Sequence, residues 1–129
     1  MKQIFFIFLI LVSISCAGTK MPNSKSLLGK WDNKKGQILE FKPNGVALWI
    51  FYSETKKDTF TISYRTDFST KPYQLDLTNF QTGMLKGKTL VGIMEFAQVN
   101  SFKFDCEPTP NNRPVIFNEK QTQTYFKVK

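Results

Sequence analysis

The chain has 129 residues, 18 Lys and Arg against 10 Asp and Glu, a formal net charge of +8, no histidine and two cysteines. Without histidine there is no His-dependent triad and no imidazole for zinc, and two cysteines are too few for a thiolate metal site. A basic balance favours anionic surfaces such as lipid headgroups or acidic glycans; nucleic acid is set aside because the chain opens like an exported protein.

Lys2 supplies a positive charge, and Ile4 to Ile14 is apolar apart from Ser13. As a helix this run would rise about 16 Å, well short of a bilayer's hydrocarbon core of roughly 30 Å. A charged start, a short apolar core and small residues at its end mark a secretory signal. Two cleavage readings follow. Ser13-Ile14-Ser15-Cys16 reads as a relaxed lipobox, with cleavage before Cys16 and a lipid on its sulfur. Ser15-Cys16-Ala17 reads as an ordinary signal site, with cleavage before Gly18. The first is favoured. It gives residues 1–15 as a lipoprotein signal peptide and 16–26 as the lipidated Cys16 and a polar, flexible tether. Residues 27–129 are then the folded domain. The expected location is the bacterial cell envelope, at the outer membrane, with palmitate on Cys16.

With Cys16 lipidated, Cys106 has no partner within the chain, so the fold must rest on its core and hydrogen bonds. Cys106 alternates with Phe102 and Phe104 and reads as a buried apolar thiol.

The remaining chain reads as strands. Leu28 to Asp32 is a short first strand, and Asn33-Lys34-Lys35-Gly36 is a turn. In Gln37 to Lys42, Leu39 and Phe41 share one face and Ile38, Glu40 and Lys42 the other. Pro43-Asn44-Gly45 is a strong turn signal. Val46 to Tyr52 is apolar on both faces, which implies a central strand with a second hydrophobic surface or one whose outer side is covered. In Thr59 to Arg65, Phe60, Ile62 and Tyr64 face inward. Tyr73, Leu75 and Leu77 alternate with Gln74, Asp76 and Thr78. Leu90, Gly92, Met94 and Phe96 share one side of Thr89 to Phe96. Phe102, Phe104 and Cys106 form a seventh strand, and Thr122 to Val128 an eighth. Longer loops fall at Thr66–Lys71, Thr78–Gly87 and Pro108–Pro114.

Eight short strands with Gly, Pro and Asn punctuation and no amphipathic helix point to an all-β fold. A single antiparallel, roughly eight-stranded barrel is favoured over a sandwich, because closure removes exposed edges.

The run Leu27-Leu28-Gly29-Lys30-Trp31, followed by Leu39-Glu40-Phe41-Lys42-Pro43-Asn44-Gly45, resembles the start of small bacterial lipocalin-like domains. Three later runs are similar to the same uncharacterised secreted family: 72–77, 87–95 and 113–117. The resemblance implies a lipocalin-like β-barrel and no reaction. The chain is shorter than true lipocalins and lacks a helix before the last strand.

No catalytic residue, metal site or cofactor is assigned. Asp76 and Glu95 could approach across strands as a carboxylate pair, but both read as outward-facing. Trp31 reads as a plug for one barrel end, with Gly29 admitting a close neighbour and Arg113 covering the indole or capping a loop. Trp31, Tyr52, Tyr64, Arg65 and Arg113 are the candidates for ligand contact. Trp49, Phe51, Tyr52, Tyr64 and Arg65 form a candidate stacking surface, against the plainer reading of core and rim. Two functions compete. One is a monomeric barrel that binds a small hydrophobic ligand. The other is an interaction module, including an inhibitor, that docks an envelope protein or glycan through its loops and basic face.

Overall fold

A computed structural model describes residues 22–129. The signal sequence, Cys16 and the first part of the expected tether lie outside the described residues. Ser24–Leu27 form a 3₁₀ turn, three residues ahead of the expected domain start. A reciprocal cap holds it: the Asn23 side chain accepts from the Lys25 N–H at 2.8 Å, and the Ser26 hydroxyl accepts from the Asn23 N–H at 3.0 Å.

Eight strands follow: β1 (Gly29–Asp32), β2 (Gln37–Phe41), β3 (Val46–Tyr52), β4 (Lys57–Asp67), β5 (Tyr73–Thr78), β6 (Leu90–Gln98), β7 (Ser101–Glu107) and β8 (Gln123–Lys127). Each pairs antiparallel with the next, and β1 pairs with β8, closing the barrel. The expected antiparallel barrel is therefore the observed fold. Closure leaves no unpaired sheet edge.

The inner face carries the core: Trp31, Leu39, Phe41, Ala47, Ile62, Leu75, Leu77, Met94, Phe102 and Tyr125 are all buried. Alternation in β2, β4, β5 and β7 placed most of these correctly. Gly92 also faces inward. A Cβ there would lie 2.5 Å from a Phe104 ring carbon and 2.8 Å from the carbonyls of Asp105 and Leu75, so only glycine lets the wall close on the core.

Up-and-down topology sends alternate connections to opposite ends. The base holds the Ser24–Leu27 turn and the connections 42–45, 68–72 and 99–100. The mouth holds the connections 33–36, 53–56, 79–89 and 108–122.

The base is filled. Leu27 is buried there, and its carbonyl accepts the Trp31 indole N–H at 2.7 Å. Trp31 packs edge-on against Phe102 (centroids 4.9 Å apart), and Phe102 stacks on Tyr125 at 5.3 Å. Trp31 thus plugs this end as expected. The cation over its ring is Lys127, at 4.7 Å, and not Arg113. Gly29 makes room for it: at φ +111° a Cβ would meet Lys127 Nζ at 2.9 Å.

One wall is buried on both sides. Asp76, Val91, Ile93 and Asp105 sit at outward positions of β5, β6 and β7, yet all are buried. The long 108–122 connection folds back over them. Arg113 binds Asp76 and the Gly92 carbonyl, and further along Asn118 N–H, the Gln121 amide and the Thr122 hydroxyl donate to Asp105.

Candidate functional site: an apolar cup at the mouth

Toward the mouth the interior stops being filled. Trp49 pairs across the β3–β4 ladder with Phe60, and Phe51 with Asp58; all four positions face inward. The loop after β5 folds over to meet them, bringing Phe80, Thr82, Gly83, Met84 and Leu85. Together these residues line a cup of about 550 Å³.

The loop's course follows from its residues. Phe80 is buried and anchors it, 6.1 Å from the Trp49 ring. Asn79, Gly83 and Gly87 take positive φ, which lets the chain turn sharply. Backbone bonds from Gly87 N–H to the Phe80 carbonyl and from Lys88 N–H to the Leu85 carbonyl close it. Met84 is left 93% exposed and Phe60 39% exposed, although Phe60 points along the inner face. Phe60 was expected inside. It is inward, but at a level where side chains cover it only in part.

The rings form a connected wall. Trp49 lies 5.1 Å from Phe51, and Phe51 meets Phe60 edge-to-face at 5.8 Å. Trp49 is oriented from behind: its indole N–H donates to Gln37 Oε1 at 3.2 Å, and the same oxygen accepts from the Tyr125 hydroxyl at 3.2 Å. Burial, with Cys106 and Asp32 adding, pushes the Tyr125 phenol far above its ordinary range, so it stays a neutral donor.

The five residues proposed from sequence do not converge. Trp31 is buried in the base. Tyr52 lies on the outer wall and donates to Asp32 Oδ1 at 2.9 Å. Tyr64 faces inward at the base, edge-on to Phe41 at 4.9 Å, and donates to the Lys42 carbonyl at 2.6 Å. Arg65 and Arg113 do meet, but on Asp76, where they hold the wall and the long loop. Of the wider aromatic set, Trp49 and Phe51 line the cup. Phe60, Phe80, Met84 and Leu85 were missed as site residues. For Phe80, Met84 and Leu85 the signal was large apolar side chains inside a loop (79–89), where polar ones are the norm; Phe60 lies on β4, where it reads as ordinary core.

Asp76 and Glu95 do not pair: Asp76 is engaged by the two arginines, and Glu95 borders a separate hollow of about 350 Å³ near the base. A polar groove of about 680 Å³ runs beside the 108–122 loop, but Asp105 and Glu107 there hold Gln121. Cys106 is a free, largely covered thiol. Burial, then the charges of Asp105 and Glu107, push it up to about 12, far from thiolate reactivity at neutral pH.

Comparisons with protein-family models, with curated proteins and with solved structures find no match to this chain.

Proposed function

We propose that this protein is an exported, lipid-anchored envelope protein whose barrel binds a small apolar molecule in the cup at its mouth, without catalysis. The observation that carries the reading is the cup itself. Large apolar and aromatic side chains surround a concave space and leave Phe60 and Met84 facing water. Concave, mainly apolar sites of this kind suit small ligands. The signal-like run before Cys16 and the resemblance to lipocalin-like domains support the same reading. The chain enters the barrel at the base, so an anchor at Cys16 would leave the mouth at the opposite end, open to ligand.

The two tryptophans supply the test. Trp49 is in the cup and Trp31 is sealed in the base. Titration with decanol or a longer apolar probe should shift Trp49 emission and raise the unfolding temperature. A ligand at a hundred times its Kd stabilises by about 2.7 kcal/mol. Trp49→Phe should abolish the emission change while thermal stabilisation persists. Neither signal with any apolar probe would reject ligand binding. The anchor has its own test: palmitate labelling should be lost in Cys16→Ser, and unchanged labelling would reject it.

A second reading, a docking module for an envelope partner, draws on Val115 and Ile116, which are 78% and 75% exposed on a loop held at both ends. Partner retention that is lost in Val115→Ser/Ile116→Ser, with apolar titration unchanged, would favour it over the cup.

A further inference from the structure

Resting on the cup reading, we propose that the cup selects an apolar molecule bearing a positive charge, of the alkylammonium class, over the corresponding acid. Two observations lead there. First, four aromatic rings wall the cup: Trp49, Phe51, Phe60 and Phe80, linked by centroid distances of 5.1 to 6.1 Å. Aromatic faces attract cations, and an alkylated ammonium loses little hydration when it enters such a cage.

Second, among the described residues lining the cup, one carries a charge, and it is a carboxylate. Asp58 stands at an inward position of β4, opposite Phe51, at the level where a ligand head would emerge. Lys56, Lys57 and Lys86 are neighbours in the chain but are not among the lining residues. Lys56 Nζ lies 3.6 Å from Asp58 Oδ2, and both side chains are well exposed, so this ion pair is weak and easily exchanged for a ligand cation. An acid in the same pose would set its carboxylate against Asp58. The chain's net charge of +8 repels cations at a distance. That field is screened within roughly 8 Å at physiological salt, so the groups at the rim decide.

The test uses three ten-carbon probes below their micelle concentrations: decyltrimethylammonium, decanol and decanoate. Trp49 emission on the purified full chain is the readout. The cation should bind about fivefold more tightly than decanol, as expected for one opposite charge close by in water, and decanoate should bind most weakly. Asp58→Asn should cut the cation's advantage over decanol severalfold, and an unfolding temperature close to wild type without any probe shows that the variant is folded. Lys56→Gln should strengthen cation binding. Decanoate binding as tightly as the cation, or decanol equal to it, would overturn the selectivity and leave the cup as a binding site. Failure of all three probes would overturn both.

Discussion

Asp76 sits at an outward strand position, where a carboxylate ordinarily stays solvated, yet it is only 4% exposed. Arg113 grips both its oxygens, Arg65 Nε adds a bond at 3.1 Å, and the Gly92 N–H donates at 3.3 Å. Burial alone would raise its pKa. The hydrogen bonds from Arg113 and Gly92, the Arg113 charge and the Arg65 bond outweigh burial and hold the carboxyl below its ordinary 3.8. A depressed folded-state pKa stabilises the fold above the unfolded value, and that contribution fades as pH falls below about 4. Asp76→Asn should therefore cost about 3 kcal/mol at neutral pH, the low end for breaking a buried pair, because Arg113 keeps some access to water. Arg65 is mostly exposed, so Arg65→Ala should cost under about 1 kcal/mol. Urea unfolding from pH 7 down to pH 3 checks both. The gap between wild type and Asp76→Asn should narrow below pH 4; a gap independent of pH would show that Asp76 contributes only shape. Sequence alone offered Arg65 and Arg113 as ligand contacts, because it shows two exposed-looking cations and not the carboxylate between them, 37 residues from Arg113.

The strands differ in how plainly their residues announce them. β2 and β3 are legible because Leu39 and Phe41 alternate with Glu40 and Lys42 and Pro43-Asn44-Gly45 must turn; Gly45 indeed takes φ +82°. β4 runs two residues further at each end than its alternation suggested, from Lys57 to Asp67. The ladder needs only backbone groups, and nothing apolar marks Lys57 or Thr66 as paired. For β6 the sequence reading assigns one side, Leu90, Gly92, Met94 and Phe96, yet Leu90 to Met94 are all buried. Its outer cover is the 108–122 loop, which has no period of its own and is held by side-chain bonds to Asp76 and Asp105. Polar residues that hold a covering loop look in sequence like any solvated residues. The cup was hidden for a related reason. Trp49 and Phe51 were visible as apolar positions, but Phe80, Met84 and Leu85 lie in a segment whose Thr, Gly and Lys residues mark it as a loop. Their apolar content becomes a site only when the fold sets it against β3 and β4.

At the scale of the whole barrel, the packing is uneven around the wall as well as along the axis. β3 and β4 stay in register from Val46 to Tyr52, whereas β1 and β8 are joined only through Trp31 with Lys127 and Asp32 with Phe126, plus a bond from Val128 N–H to the Lys30 carbonyl at 2.9 Å. Side chains reinforce this closing seam. Lys127 Nζ donates to the Leu28 carbonyl and lies over the Trp31 ring, Lys34 sits 4.7 Å from the Phe126 ring centre, and Asn33 donates to Gln123 Oε1 at 3.0 Å. A ladder this short has few backbone bonds to lose when it opens, so the seam is the cheapest place for the barrel to breathe. Amides of β1 and β8 should exchange with deuterium through local opening well before those of β6 and β7. Lys127→Ala removes a carbonyl partner and a cation over an aromatic face. It should cost about 1 kcal/mol of global stability and speed exchange at the seam more than elsewhere. Uniform protection around the barrel, or a Lys127→Ala variant as stable as wild type, would mean that closure is carried by the aromatic base packing of Trp31, Phe102 and Tyr125 and not by the β1–β8 ladder.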